Sequence, residues 1–183
     1  MSDISVAVVI GSLRSASINR KLAQEVIKLN APGLSFDIIE IGDLPLYNQD
    51  FEEAPPPAVT AFRDKVKAAQ AVLVISPEYN RSLPGVLKNA IDVGSRPYGH
   101  NVWGNKPGGL FGASPGAIGT AVMQAHARDV LAAVGVTVFS GPEVYLTIKD
   151  GFYDDSGNLN PGTAKFLQGW MDGYVDFVKK MLA

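Results

Sequence analysis

The sequence predicts an α/β fold: a parallel sheet with helices on both faces. Two observations predict it. Apolar, β-branched runs alternate with stretches of helical period five times along 183 residues. The runs are also nearly continuous in apolar residues, as strands covered on both faces must be. Ile4 to Ile10 (ISVAVVI) is the first such run, and Gly11 ends it. Ile18, Leu22, Val26 and Leu29 then recur at helical spacing, and Pro32-Gly33 closes that helix. Phe36 to Ile41 is the second strand; Val59, Phe62, Val66 and Ala69 mark the second helix. Ala71 to Ser76 is the third strand, stopped by Pro77, and Val86 to Val93 the third helix, with Pro84 near its start. Gly108 to Ala113 is the fourth strand and Ala117 to Val134 the fourth helix. Val136 to Phe139 is the fifth strand, and Phe166, Trp170, Tyr174, Phe177 and Met181 stripe a last helix.

Right-handed crossovers leave few topologies for such a chain, and five strands suit the flavodoxin-like order 2-1-3-4-5. The length predicts one domain over residues 1–183. In open parallel sheets ligands bind beyond the carboxyl ends of the strands, at the point where strand order reverses. The loops after strands one, three and four are therefore where chemistry is expected.

Composition narrows that chemistry. The chain has no cysteine, which excludes disulfides, thiolate nucleophiles and Cys-ligated metal centres. Two histidines, His100 and His126, make a His-rich metal site improbable, so no metal is expected. Net charge is −2 with scattered Lys and Arg, without the basic stripe of a nucleic-acid surface. No apolar run is long enough to cross a bilayer, and Met1-Ser2-Asp3-Ile4 has no basic n-region or cleavage site. The expectation is a cytoplasmic domain whose chemistry comes from ordinary side chains or a bound organic cofactor.

The loop after strand one reads Gly11-Ser12-Leu13-Arg14-Ser15-Ala16-Ser17-Ile18-Asn19 and runs into a helix. A helix start offers unpaired N–H groups and the positive end of the dipole. Ser12 and Ser17 can donate to phosphate oxygens, and Arg14 adds charge-assisted bonds. Neither the GxxxxGK[ST] nor the GxGxxG spacing is present, which favours a single terminal phosphate over a dinucleotide. Taken alone, Ser17 could equally be a plain helix cap. The loop after strand three, Ser76-Pro77-Glu78-Tyr79-Asn80-Arg81-Ser82-Leu83-Pro84-Gly85, is stiff and carries an aromatic. That combination suits a flat ring, with backbone groups on its edge and Tyr79 against it. The loop after strand four, Gly112-Ala113-Ser114-Pro115-Gly116, matches the GxSxG nucleophile elbow of hydrolases. Pro115 has no N–H to serve as oxyanion donor, and no histidine follows His126, so the match is a decoy. A small-residue loop that lets a planar ligand approach the backbone is the better reading.

Together these loops resemble the NADPH-dependent FMN reductase family, which includes quinone, chromate, azo-dye and ferric reductases. Two segments carry the resemblance. The first is Gly11-Ser12-Leu13-Arg14 followed by Ser17 and Asn19. The second is Pro77-Glu78-Tyr79-Asn80 with Ser82 and Pro84-Gly85, continuing through Leu87-Lys88-Asn89-Ala90-Ile91-Asp92 to Ser95-Arg96. The resemblance implies that Ser12, Arg14, Ser17, Ile18 and Asn19 hold the FMN phosphate. It implies that Pro77, Glu78, Tyr79 and Asn80 frame the isoalloxazine, with Ser114, Pro115 and Gly116 completing the site. It further implies that FMN takes hydride at N5 from NADH or NADPH and passes electrons to quinones, ferric complexes, chromate or similar small acceptors by a ping-pong mechanism. The alternative is a flavodoxin-type electron carrier, against which the modest net charge of −2 argues.

Oligomerisation follows from the same segments. The third helix and Val102-Trp103 are expected to present apolar surface, which predicts a homodimer. Val122, Met123 and Ala125 stand where some tetrameric relatives have larger polar residues, so a tetramer is the weaker expectation. Arg96, at the far end of the third helix, is expected to reach the flavin rim of the other subunit beside Tyr98 and Trp103. There it would act on substrates together with Tyr79 of the ring loop.

Overall fold

The computed structural model describes residues 3–183. Its elements are β1 (Ile4–Ile10), α1 (Ile18–Val26), β2 (Leu34–Ile39), α2 (Pro57–Ala68), β3 (Ala71–Ile75), α3 (Gly85–Ser95), β4 (Pro107–Ser114), α4 (Ala121–Ala133), β5 (Thr137–Val138), β6 (Tyr145–Thr147) and α5 (Pro161–Leu182). The strands run in the order β2-β1-β3-β4-β5, and every pairing is parallel. The flavodoxin-like arrangement expected from the sequence is therefore present.

Alternation along β1 assigns each side chain to a face. Val6, Val8 and Ile10 pack with Leu22 and Val26 of α1 and with Trp170, Met171, Tyr174 and Val178 of α5. Ala7 and Val9 point the other way, toward Val59, Phe62 and Val66 of α2, Leu87 and Ile91 of α3, and Met123 and Leu131 of α4. Two apolar layers thus sandwich the sheet, each following the two-residue period of the strands and the 3.6-residue period of the helices. Gly109 in β4 makes room for the first layer: a Cβ there would meet Trp170 Cη2 at 2.8 Å and Tyr174 Cε2 at 3.0 Å. Tyr174, fully buried, spends its hydroxyl on the Val72 carbonyl at 2.7 Å, and burial pushes its pKa up.

Three elements depart most from the expectation. The second strand starts at Leu34 and ends at Ile39, two residues earlier at each end than Phe36 to Ile41. The fourth helix begins at Ala121, not Ala117, because Gly119 at φ +59° closes a turn with its N–H on the Gly116 carbonyl. The fifth strand is only two residues long, and a sixth follows. β5 pairs with Pro107 and Gly108, and β6 pairs with Gly112–Ser114. Ser140-Gly141-Pro142-Glu143 lies between the two, and Pro142 has no N–H for a ladder.

Val102 and Trp103, expected at the surface, are buried. The Trp103 indole N–H donates to the Ile91 carbonyl at 3.0 Å, and its ring lies where a side chain at Gly94 would be: a Cβ there would meet Nε1 at 2.3 Å. Pairing the indole N–H inside the core removes the reason for a tryptophan to stay at the surface.

Candidate functional site

The carboxyl ends of β1, β3 and β4 meet at Ser76. A Cβ on Gly11 would meet Ser76 Oγ at 2.2 Å, and one on Gly112 would meet the Ser76 carbonyl oxygen at 1.9 Å. Only glycine fits at either position, so the three strand ends close up and their loops diverge around one open cleft of about 170 Å³. Ser12, Arg14, Ser17, Ile18 and Asn19 line one side of it. Pro77, Glu78 and Tyr79 line the second, and Ala113, Ser114 and Pro115 the third. Asn80 and Gly116 stand outside the lining, next in sequence to Tyr79 and Pro115.

The first wall carries the donors that an anion would need. Ser17 is the N-cap of α1, its hydroxyl accepting from Arg20 N–H at 3.2 Å. The backbone N–H groups of Ile18 and Asn19 come before the first intrahelical bond, and among the described residues no acceptor takes them. Ser12 is buried, and Arg14 is exposed without an ion-pair partner among the described residues. Arg20, one turn into the helix, is instead occupied. It forks onto Glu40 at 2.8 and 2.7 Å, and that hydrogen bond holds the Glu40 carboxyl below the usual carboxylate range.

Asn19 is also occupied. Its Nδ2 donates to the Ala113 carbonyl at 2.9 Å, and its Oδ1 accepts from the Ala113 N–H at 2.9 Å. The side chain therefore joins the first wall to the third, leaving its backbone N–H for a ligand.

The second wall is a tight hairpin. Tyr79 and Ser82 exchange backbone hydrogen bonds at 3.1 and 3.0 Å, with Asn80 at φ +50° and Arg81 at φ +64° between them. Both central residues at positive φ give the type I′ geometry. Tyr79 is 50% exposed, so much of its ring remains free at the cleft. The Glu78 carboxylate points elsewhere: Oε2 accepts from the N–H groups of Val122 and Met123 at 3.0 and 3.1 Å. It caps α4, whose own N-cap Thr120 makes no side-chain cap bond. Ser82 Oγ meets His126 Nδ1 at 3.1 Å, so α4 grips the hairpin at both ends. What the hairpin offers the cleft is backbone and the Tyr79 ring.

The third wall is held by Ser114, whose hydroxyl donates to the Gly119 carbonyl at 2.8 Å and accepts from Gly116 N–H at 3.1 Å. A hydroxyl tied into its own loop has no base beside it, since His126 is engaged with Ser82. The GxSxG match is a loop device, not a nucleophile.

Arg96 is not part of this cleft. It is the C-cap of α3 and exposed, and α3 begins beyond the hairpin, so about 16 Å of helix separates the two. The Arg63 guanidinium fixes that end, donating to the carbonyls of Val93, Gly94, Arg96 and His100. Beside Arg96 lies a separate apolar recess against Pro45, Tyr47, Phe51 and Pro97. Among the described residues no group of three His, Cys, Asp or Glu is placed to hold a metal ion. No helix among them is long and apolar enough to cross a membrane.

Sequence reasoning missed Ala113 as a lining residue and Glu78 as a cap. Alanine gives no chemical signal. The Glu78 cap could have been suspected from the absence of Asp, Glu, Ser or Asn at the start of α4 other than Thr120.

The comparisons with known proteins agree with one another. The model of the NADPH-dependent FMN reductase family matches residues 4–150. A quinone reductase of Pseudomonas putida is 49% identical over 181 residues, 98% of this chain and 97% of that protein. A 2-hydroxy-1,4-benzoquinone reductase of a Burkholderia species is 45% identical over 177 residues, covering 96% of this chain and 97% of that one. Among solved structures, the flavoenzyme NAD(P)H:(acceptor) oxidoreductase FerB of Paracoccus denitrificans superposes with a TM-score of 0.92 at 45% identity, over 97% of this chain and 98% of its own. By its cleft, its sheet and these likenesses, the chain belongs to the NADPH-dependent FMN reductase family.

Proposed function

We propose that this chain is an NAD(P)H:acceptor oxidoreductase that holds FMN in the cleft and reduces quinones, ferric complexes, chromate or similar small acceptors. One observation carries the reading: three loops meet around a cleft whose free donors sit at one side and whose aromatic sits at another. The residues fit the group. Arg14, the Ser12 hydroxyl and the N–H groups of Ile18 and Asn19 suit a phosphate dianion, and Ser17 orders the helix start that presents them. The wall of Pro77 and Tyr79 suits a planar ring.

FMN, when bound, supplies acceptance of a hydride and its onward delivery as electrons. The chain's own residues have other tasks. Ser12, Arg14 and the start of α1 anchor. Asn19 keeps the anchor in register with the Ala113 wall. Glu78 and His126 hold the hairpin that carries Tyr79. None of these is a general acid or base aimed into the cleft, as expected where the protein orients and the cofactor reacts.

The reading includes a homodimer. With Val102 and Trp103 buried, its support moves to Leu46 (80% exposed), which lines the recess beside Arg96, and to Tyr98 (90% exposed), next in sequence to the Pro97 of that recess. In such a dimer Arg96 serves the partner's cleft, and a tetramer is not required. The reading includes a cytoplasmic location, where reduced nicotinamide is supplied. Initial-rate kinetics test the mechanism: nicotinamide and acceptor using one ring face give parallel lines in double-reciprocal plots, and intersecting lines would mean a ternary complex.

A further inference from the structure

The turn between Tyr79 and Ser82 does not hold itself. Both of its central residues stand at positive φ without being glycine, Asn80 at +50° and Arg81 at +64°. Asparagine tolerates that conformation, and arginine adopts it at a cost. No ladder stands behind the turn, because Tyr79 and Ser82 form a single isolated bridge, and a hairpin that short is marginal on its own. The Arg81 side chain offers no compensation, being 68% exposed with one long contact of 3.4 Å to Glu78. A strained turn persists where its surroundings over-determine it.

The surroundings are α4. Ahead of the turn, Glu78 is fixed to the N–H groups of Val122 and Met123. At its far end the Ser82 hydroxyl meets His126 Nδ1 at 3.1 Å, and beyond it Leu83 packs against the second apolar layer. His126 is exposed, and Ser82 is the one hydrogen-bond partner of its ring among the described residues. In the recess around it Lys88 is already paired with Asp92 at 2.8 Å. The route from His126 to the cleft is short. Ser82 carries the bond, its backbone exchanges two hydrogen bonds with that of Tyr79, and Tyr79 lines the cleft. Resting on the reading that the cleft holds FMN, we propose that His126 is a positioning residue: from outside the cleft it pins the strained turn and so keeps Tyr79 against the flavin ring.

The strain makes the test sharp, because relieving it should replace the lost tie. His126→Leu removes the bond at an exposed helical position, and His126→Asn places an amide at the reach of Nδ1 and keeps it. Flavin titration of the His126→Leu apoprotein should give an FMN dissociation constant about two- to tenfold above wild type. The fluorescence of the bound flavin, which a tyrosine ring in contact quenches, should rise. His126→Asn should keep both readings near wild type. Adding Arg81→Gly to His126→Leu should restore both, since Asn-Gly forms this turn without strain and needs no tie. Arg81→Gly alone should change neither. A tie that serves only the fold would lower the melting temperature of the apoprotein and leave the dissociation constant and the fluorescence alone, and that result overturns the proposal. So does an equal loss in His126→Asn, or no recovery with Arg81→Gly. A wild-type protein that takes up no FMN removes the reading of the cleft and this assignment with it. Wild-type uptake beside an indifferent His126→Leu removes this assignment alone.

Discussion

Asn19 and Ala113 hold each other by two reciprocal hydrogen bonds of 2.9 Å, side-chain amide to backbone, across 94 positions of sequence. The pair is buried where the start of α1 meets the end of β4, so it fixes the distance between the anion wall and the wall beyond it. Replacing Asn19 with Ala leaves an N–H and a carbonyl unpaired in a dry site. The expected cost is about 1–3 kcal/mol of stability, with FMN affinity lowered because the two walls are no longer in register. Chemical denaturation and flavin titration of the variant check both; unchanged stability would mean water replaces the amide without loss.

Ser17→Ala separates capping from ligand binding. Loss of the cap bond to Arg20 should cost about 1 kcal/mol. If the hydroxyl also serves the phosphate, FMN affinity falls on the order of tenfold or more while the rate of hydride transfer in the loaded enzyme is retained. Flavin titration of the apoprotein reads the difference, and wild-type affinity would leave Ser17 as a cap only.

The sheet order and the three loops were legible because they follow from local signals: continuous apolar runs, glycine or proline at strand ends, and a helix start after the first loop. What stayed hidden depends on contacts remote in sequence. The Asn19 amide looked available for phosphate because nothing nearby reveals Ala113. Glu78 looked like a ring contact because its true partners, the N–H groups of Val122 and Met123, lie 44 and 45 residues away. Trp103 looked like surface because the space at Gly94 that receives it is set by helix packing. β6 was not expected at all, since Tyr145–Thr147 is too short a run to stand out beyond Pro142.

Tyr153 offers a pH test. Its hydroxyl is buried without a partner among the described residues, burial pushes its pKa up to about 12, and Lys21 Nζ sits 3.7 Å from the ring centroid. In the unfolded chain a tyrosine ionises near pH 10. The neutral form is favoured by the fold, so this contribution is whole below about pH 10 and is lost as pH rises toward 12. Tyr153→Phe keeps the ring under Lys21 and removes the unpaired hydroxyl. It should match or exceed wild-type stability at pH 7 and lose less on going from pH 9 to 11. A variant that is less stable at pH 7 would show that the hydroxyl has a hydrogen-bond partner in solution.

Arg96→Ala probes the partner's cleft. The KM for NADPH and for anionic acceptors should rise, neutral quinones should change much less, and FMN should remain bound. Equal loss for all substrates, or a lower melting temperature without a kinetic change, would leave Arg96 as a cap of α3. Sedimentation should show at least a dimer at micromolar concentration.

The most direct measurement is anaerobic titration of the purified protein with NADPH and with NADH, followed by an acceptor. The protein should be yellow, release FMN and not FAD on acid treatment, bleach on addition of at least one nucleotide, and recover its colour with a quinone. A flavin that binds but stays oxidised with both nucleotides would make the chain an electron carrier, and a protein that takes up no FMN would contradict the account of the cleft altogether.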